Sequence, residues 1–251
     1  MQVESAQVGM KTIRTQVPGH KVVSRVEWLE ARKAHLEKER EITRLRDALG
    51  RERRALPWVR VEKEYVFDAP SGKETLADLF DGRSQLIVQH FMFGPGWTEG
   101  CVGCSFQADH IDGAAVHLEH RDVTLVVVSR APLARLQAFK RRMGWRFKWV
   151  SSYGSDFNYD YNVSFTRDEL AAGKVFYNYE PRELQSEELP GISVFYQDPS
   201  GDIFHTYSSY GRGSELLIGA YNYLDLVPKG RDEAGLSPPM TWVRHHDSYG
   251  G

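Results

Sequence analysis

The run Val123–Ser129 (VTLVVVS) constrains the fold more than any other segment. It is almost continuously apolar and β-branched, with no alternation. A strand of that kind is covered on both faces, the environment of a parallel sheet lying under helices. Gln85–Phe93 (QLIVQHFMF) has the same character. Helix-forming stretches follow each run: Ser105–His117, weakened at Asp112-Gly113, and Pro132–Met143, ended by Gly144. Phe147–Ser151 reads as a short strand. Ile192–Gln197, the turn Asp198-Pro199-Ser200-Gly201 and Asp202–Ser208 read as a β-hairpin, and Gly213–Leu226 as a last helix. Strands alternating with helices and closed by a hairpin predict an α/β domain with a mixed central sheet flanked by helices.

The first part of the chain is different. Residues 1–22 read as a flexible terminus with a break at Pro18-Gly19. Ser24 and Glu27 then form the pattern of a capping box, and a helix dense in Glu, Arg and Lys runs from there to about Arg54. Its apolar residues, among them Leu29, Leu36, Ile42, Leu45 and Leu49, make only a narrow stripe. Such a stripe packs along one thin seam, on its own domain or on a second copy of the chain in a homodimer. Residues 23–56 are therefore read as a charged helical arm, 57–227 as the folded domain, and 228–251 as a polar tail broken at Pro238-Pro239. The pair His245-His246 in that tail reads as solvated. After Pro57 the strand pattern begins with Val59–Phe67, followed by a turn through Gly72 and a short amphipathic Leu76–Phe80.

Lys plus Arg number 32 against 34 Asp plus Glu, a net charge of −2 with neutral histidines. That balance argues against a nucleic-acid partner, which calls for concentrated positive charge. The longest aliphatic run, Leu125–Val128, is far short of the roughly 20 residues that cross a bilayer. The N-terminal stretch has no apolar segment of the kind a secretory signal needs. These features predict a cytoplasmic protein without a membrane partner. At 251 residues the chain can bury a full core without disulfide staples.

Its two cysteines stand together as Cys101-Val102-Gly103-Cys104. A lone CxxC cannot complete a four-thiolate zinc site. A redox dithiol, half of a metal site and two incidental buried thiols are the three readings the spacing leaves open.

The order of elements, with CxxC opening the first helix after a central strand, resembles the thioredoxin fold and within it the peroxiredoxin and thiol-reductase branch. The segments YVFDAPSGKETLADLFDGR, FKWVSSYGSDFNYDYNV and YQDPSGDIFHTY carry that likeness over residues 58–226. The whole chain resembles an uncharacterised bacterial family of thioredoxin-like proteins through RALPWVRVEK, FMFGPGWTEGCVGCSFQAD, SSYGSDFNYDY and FHTYSSYGRG. The resemblance implies a thiol-disulfide oxidoreductase acting on a small-molecule or peptide substrate, with no cofactor and with thioredoxin or glutathione as reductant. At a helix start the first sulfur has its pKa lowered by unpaired N–H groups, so Cys101 is the expected nucleophile and Cys104 the resolving thiol. Thioredoxins place a buried acid beneath the resolving cysteine. Aligning the strands puts His90 near that place, as a proton relay.

Pro95 and Thr98 resemble, one residue short, the peroxidase motif PxxxTxxC, with Arg130 in the place of its arginine; a peroxiredoxin-like peroxidase is thus an alternative. Pro190 resembles the cis-proline that faces CxxC and binds substrate backbone. Trp97, Tyr153 and Asp156 belong to aromatic, polar loops read as lining a groove beside the cysteines. A copper- or zinc-binding thioredoxin-like protein is the other alternative, with Cys101, Cys104 and His205 as ligands.

Overall fold

The computed structural model describes residues 19–250, so the expected flexible terminus falls largely outside the described residues. The chain divides into two compact units, Met1–Leu56 and Pro57–Gly251.

The first unit is the helix α1, Arg25–Arg54. Ser24 Oγ accepts from the Glu27 N–H at 3.3 Å, and the Glu27 carboxylate accepts from the Ser24 N–H at 3.0 Å, the reciprocal cap read from the sequence. Arg51, Arg53 and Arg54 occupy the last turn, where cations offset the unpaired carbonyls. No residue of α1 is buried.

The second unit is built on an eight-stranded sheet. In chain order its strands are β1 (Val59–Arg60), β2 (Val66–Ala69), β3 (Gly72–Thr75), β4 (Gln85–His90), β5 (Val123–Ser129) and β6 (Lys148–Ser151). A small separate hairpin, β7 (Val175–Tyr177) and β8 (Glu180–Arg182), comes next, and β9 (Gly191–Gln197) and β10 (Ile203–Tyr210) complete the large sheet. The order across the large sheet is β1-β10-β9-β4-β5-β6-β2-β3. β4, β5 and β6 are parallel, and β9 lies antiparallel to β4 and pairs with β10. The single strand expected over Val59–Phe67 is two, because its ends serve distant parts of the sheet: β1 pairs with β10, and β2 with β3 and β6.

The helices are α2 (Val102–Ala108), α3 (Ile111–Glu119), α4 (Leu133–Arg142), α5 (Phe157–Asp160), α6 (Arg167–Ala171) and α7 (Gly219–Leu224). The crossovers β4-to-β5 and β5-to-β6 step in the same direction along the sheet, so right-handed connections put their helices on one face. Cys104 and Ala108 of α2, Ile111 of α3, and Leu136 and Phe139 of α4 accordingly pack there with Phe91, Phe93, Val127 and Trp149. The opposite face is a second core of Leu86, Val88, Val126, Val128, Phe195 and the rings of Phe67, Phe157 and Tyr161.

Two expected helices are divided. Ser105–His117 becomes α2 and α3, and α2 starts at Val102 so that it takes in Cys104. The break at Asp109-His110 is fixed by carboxylates: Asp109 accepts from Trp145 Nε1 at 2.8 Å, and Asp112 accepts from the backbone N–H groups of Arg146 and Phe147, each at 2.8 Å. Gly213–Leu226 becomes a 3₁₀ turn, Gly211–Leu217, and then α7, parted at Ile218, whose extended backbone sends its buried side chain against Phe106 and Tyr221.

The tail is not a solvated strand of chain. A 3₁₀ turn at Pro239–Trp242 packs Met240 and Trp242 into the cluster of Phe106, Ile218, Tyr221 and Val243. His245, read as solvated, is buried, and its Nε2 lies 3.0 Å from the carbonyl oxygen of Gly100.

Candidate active site around Cys101 and Cys104

β4 ends at the centre of the sheet and hands the chain to the loop 91–100, which turns back so that the Cys101 N–H donates to the Met92 carbonyl at 3.0 Å. Arg135 of α4 pins this loop by donating to the carbonyls of Pro95 (2.8 Å) and Trp97 (2.6 Å). Cys101 caps α2 and is partly exposed; Cys104, one turn on, is buried among Phe91, Ala108 and Val127. The two cysteines are 3.8 Å apart and both are free.

Burial alone would raise both thiols. Cys101 nevertheless sits low, at about 7, because the Cys104 thiol donates to its sulfur and the backbone N–H groups of Cys104 and Gly103 add to that donation. Cys104 is pushed the other way by the same contact, with burial next and the charge on Cys101 after it, against one opposing donor, the Met92 N–H at 3.4 Å. The pair is therefore polarised: the accessible sulfur carries the negative charge, and the buried one holds its proton.

Glu188, in the connection that leads into β9, is the group the sequence reading missed. It is 2% exposed, yet it bears a carboxylate whose charge reaches Cys104. Arg130, just after β5, donates to its Oε1 at 2.8 Å, and Ser164 Oγ donates to its Oε2 at 2.7 Å. The Arg130 guanidinium also lies over the Tyr159 ring, 4.5 Å from its centroid. Burial outweighs Arg130 and Ser164, and Glu188 is pushed up to about 7. In the sequence it is one of several glutamates in ELQSEELPG, a polar stretch that reads as exposed.

Gln89 also faces the cysteines, its Nε2 donating to the Cys104 carbonyl at 3.3 Å. Its neighbour His90 must then face the other way, since successive side chains of a strand alternate. The His90 ring stacks on Tyr161 and packs on Phe157 in the opposite core. From there a buried polar chain runs from His90 Nε2 to Ser193 Oγ (2.8 Å), on to Ser208 Oγ (2.9 Å) and to His205 Nε2 (2.7 Å). The expected relay at His90 is thus corrected: the sheet separates it from the sulfurs, and desolvation lowers its pKa to about 3.

His205 packs on Tyr161 and Phe195 on that same far face, so it does not join Cys101 and Cys104 as a third ligand. Among the described residues no cluster of three or more His, Cys, Asp or Glu side chains is placed to hold a metal ion. Of the groove residues, Trp97 is half-buried and packs with the cysteines' own cluster. Thr98 is exposed on the loop above α4. Tyr153 is 55% exposed, and Asp156 pairs with Lys63 at 2.8 Å on the β2 side of the sheet, so neither closes around the cysteines. The aromatic segment fills cores: Trp145 and Trp149 lie behind Cys104, and Phe157 and Tyr161 lie on the far face.

Pro190 stands at the cysteine end of β9, two residues after Glu188, with its carbonyl accepting from Tyr177 Oη at 2.8 Å. The peptide bond before it is trans, since Ser237–Pro238 is the one cis bond among the described residues. Gly191 after it is required by space: a Cβ there would come within 2.9 Å of both Tyr210 and Val163.

Four strands in the order β10-β9-β4-β5, with a helix after β4 that opens on a CxxC pair and a closing β-hairpin, define a thioredoxin-like protein. Residues 17–249 match a family described as a bacterial protein of unknown function (DUF899), and the chain belongs to that family. Among solved structures it is similar to a cysteine-to-serine mutant of Xylella fastidiosa PrxQ (14% identity, 63% of this chain and 89% of the other, TM-score 0.40). It is also similar to a putative thiol:disulfide interchange protein DsbE from Chlorobium tepidum (12% identity, 66% and 97%, TM-score 0.39). No match was found among curated proteins.

Proposed function

We propose that this protein is a thiol-disulfide oxidoreductase with Cys101 as nucleophile and Cys104 as resolving thiol. The observation that carries this reading is the polarised pair: an accessible sulfur held near pKa 7 and, 3.8 Å behind it, a buried thiol that donates to it. The Cys101 thiolate attacks one sulfur of a substrate disulfide, forming a mixed disulfide and expelling the first substrate thiolate. Cys104 then loses its proton, attacks the Cys101 sulfur and expels the second. The substrate gains two electrons and leaves as two thiols, while the protein closes a Cys101–Cys104 disulfide. Glu188, with a pKa near that of the nucleophile and its charge felt at Cys104, is the buried base this arrangement offers for the Cys104 proton. A thiol reductant of the thioredoxin or glutathione class returns the pair to the reduced state. A dithiol that must be kept reduced implies the cytoplasm as its location.

The test is mass-resolved alkylation across a glutathione redox series, with metal analysis of the same sample. Both thiols are expected to disappear together and reversibly. Cys104→Ser is expected to trap a glutathione adduct on Cys101, and Cys101→Ser to leave Cys104 unreactive. Thiols that resist alkylation until the protein unfolds would make them core residues and end this reading. Thiols released only by a chelator would point to a metal site.

A further inference from the structure

The segment after α7 carries a feature that the dithiol chemistry does not itself need. It lies over the cysteines and is held on both sides of them. On the near side, His245 Nε2 bonds the carbonyl of Gly100, the residue before the nucleophile, and its ring packs on Phe139 with centroids 5.2 Å apart. Arg142 of α4 clamps the same region, donating to Asp247 at 2.7 Å and also pairing with Glu99. On the far side, beyond α2, His246 Nδ1 lies 2.6 Å from the Asp109 carboxylate. Just before these anchors in the chain, the turn Pro239–Trp242 brings Met240 against the residues that separate the cysteines. A Cβ built on Gly103 would stand 3.3 Å from Met240 Cε and 3.8 Å from Cys101 Sγ. Val102 is packed into one apolar cluster with Met240, Trp242 and Val243, and the Trp242 ring meets Phe106 edge-on at 5.6 Å.

We propose that residues 238–248 form a fixed roof over the CxxC dipeptide that admits low-molecular-weight disulfides to Cys101 and keeps out disulfides of folded proteins. This rests on the oxidoreductase reading above. A protein disulfide carries backbone on both sides of each sulfur, so it needs clearance across Val102-Gly103 in order to align its S–S bond with the attacking sulfur. Met240 occupies that clearance, with Trp242 in the same apolar cluster. A disulfide of small thiols needs to bring only one sulfur to the partly exposed Cys101. The roof is not a loosely laid tail: Trp242 Nε1 donates to Glu233 at 2.6 Å, and Tyr221 Oη donates to the same Glu233 oxygen at 3.0 Å, fastening it to α7. Electron balance is as written for the proposed reaction, with the small disulfide as oxidant of the dithiol and two small thiols as products.

The experiment is single-turnover oxidation of the pre-reduced full chain by bis(2-hydroxyethyl) disulfide and, separately, by the disulfides of insulin. Loss of Cys101 and Cys104 thiols is followed by alkylation, and each rate is divided by that of dithiothreitol with the same disulfide. The normalised rate with the small disulfide is expected to exceed that with insulin by about a hundredfold, because exchange depends on access to the attacking sulfur. Met240→Ala and Arg142→Ala, each checked for an unchanged far-ultraviolet circular dichroism spectrum, are expected to raise the insulin rate by about tenfold while moving the small-disulfide rate by less than about threefold. Equal normalised rates for the two substrates in the unaltered protein would overturn the roof while leaving the dithiol reading in place. Folded variants that leave the ratio unchanged would also overturn it. Oxidation by neither disulfide would overturn the oxidoreductase reading on which it stands.

Discussion

The chemistry turns on one contact, the Cys104 thiol donating to the Cys101 sulfur, and that contact sets a pH dependence. The thiolate is the reactive form, and Cys101 titrates at about 7 instead of the ordinary 9.0. Its alkylation rate by iodoacetamide is therefore expected to climb as pH rises through about 7 and to flatten by about pH 8. Cys104→Ala removes the largest cause of the lowering and leaves burial to act, so the midpoint should move upward, toward 9.0 or beyond. A midpoint that stays near 7 in the variant would show that the backbone donors alone hold the charge. At this scale the cysteines, their order and their roles as candidates are plain in the sequence, because spacing along a helix is a local property. His90 and Glu188 are not. Placing His90 needs the phase of β4, which the bond from Gln89 to Cys104 fixes and an unbroken apolar run does not. Glu188 owes its role to Arg130 and Ser164, partners brought from 58 and 24 residues away.

Between elements, close packing sets stricter limits than pattern does. β9 runs between β4 and β10, and its first residue, Gly191, sits opposite His90 on one side and Tyr210 on the other. Gly191→Ala puts a methyl group within 2.9 Å of the buried Tyr210 ring and of Val163, neither of which can swing away into solvent. A loss of about 1–3 kcal/mol in urea unfolding is expected, the usual result of overpacking a filled core. An unchanged midpoint would mean that the connection from Glu188 to Gly191 has slack enough to take up the methyl group. The strands β4, β5, β9 and β10 were legible because burial on both faces or a hairpin turn marks them locally. The breaks in the helices were not. The division of α2 from α3 depends on Asp109 and Asp112 capturing groups at positions 145–147, and the division before α7 depends on burying Ile218. A polar composition likewise hides the tail's anchors, since His245, Arg142 and Asp247 read singly as surface residues.

For the whole molecule, two buried titratable groups, His90 and Glu188, are shifted in opposite directions, and together they shape its stability against acid. His90 titrates at about 3 in the folded protein and at 6.5 when free. Between those values the unfolded chain holds a proton that the folded one does not, so stability is lost as pH falls, at about 1.4 kcal/mol per unit. Glu188 titrates at about 7 folded and at 4.5 free. Over that range the folded chain holds the extra proton, so stability is gained as pH falls, at the same rate. From about pH 6.5 to 4.5 the two nearly cancel; below about 4.5 Glu188 is protonated in both states and the loss at His90 proceeds unopposed. The expected profile is a plateau that breaks below about pH 4.5 and falls by about 2 kcal/mol by pH 3 from this group. Chemical denaturation of the protein and of His90→Gln across this range checks it. The variant, lacking the buried imidazole, should gain stability relative to the unaltered protein with each unit of acidification below about 6.5. Parallel curves for the two proteins would mean that His90 takes up its proton while folded. The chain from Ser193 through Ser208 to His205 would then be a hydrated path and not a dry one, because an imidazolium packed on Phe157 and Tyr161 has nothing else to solvate it.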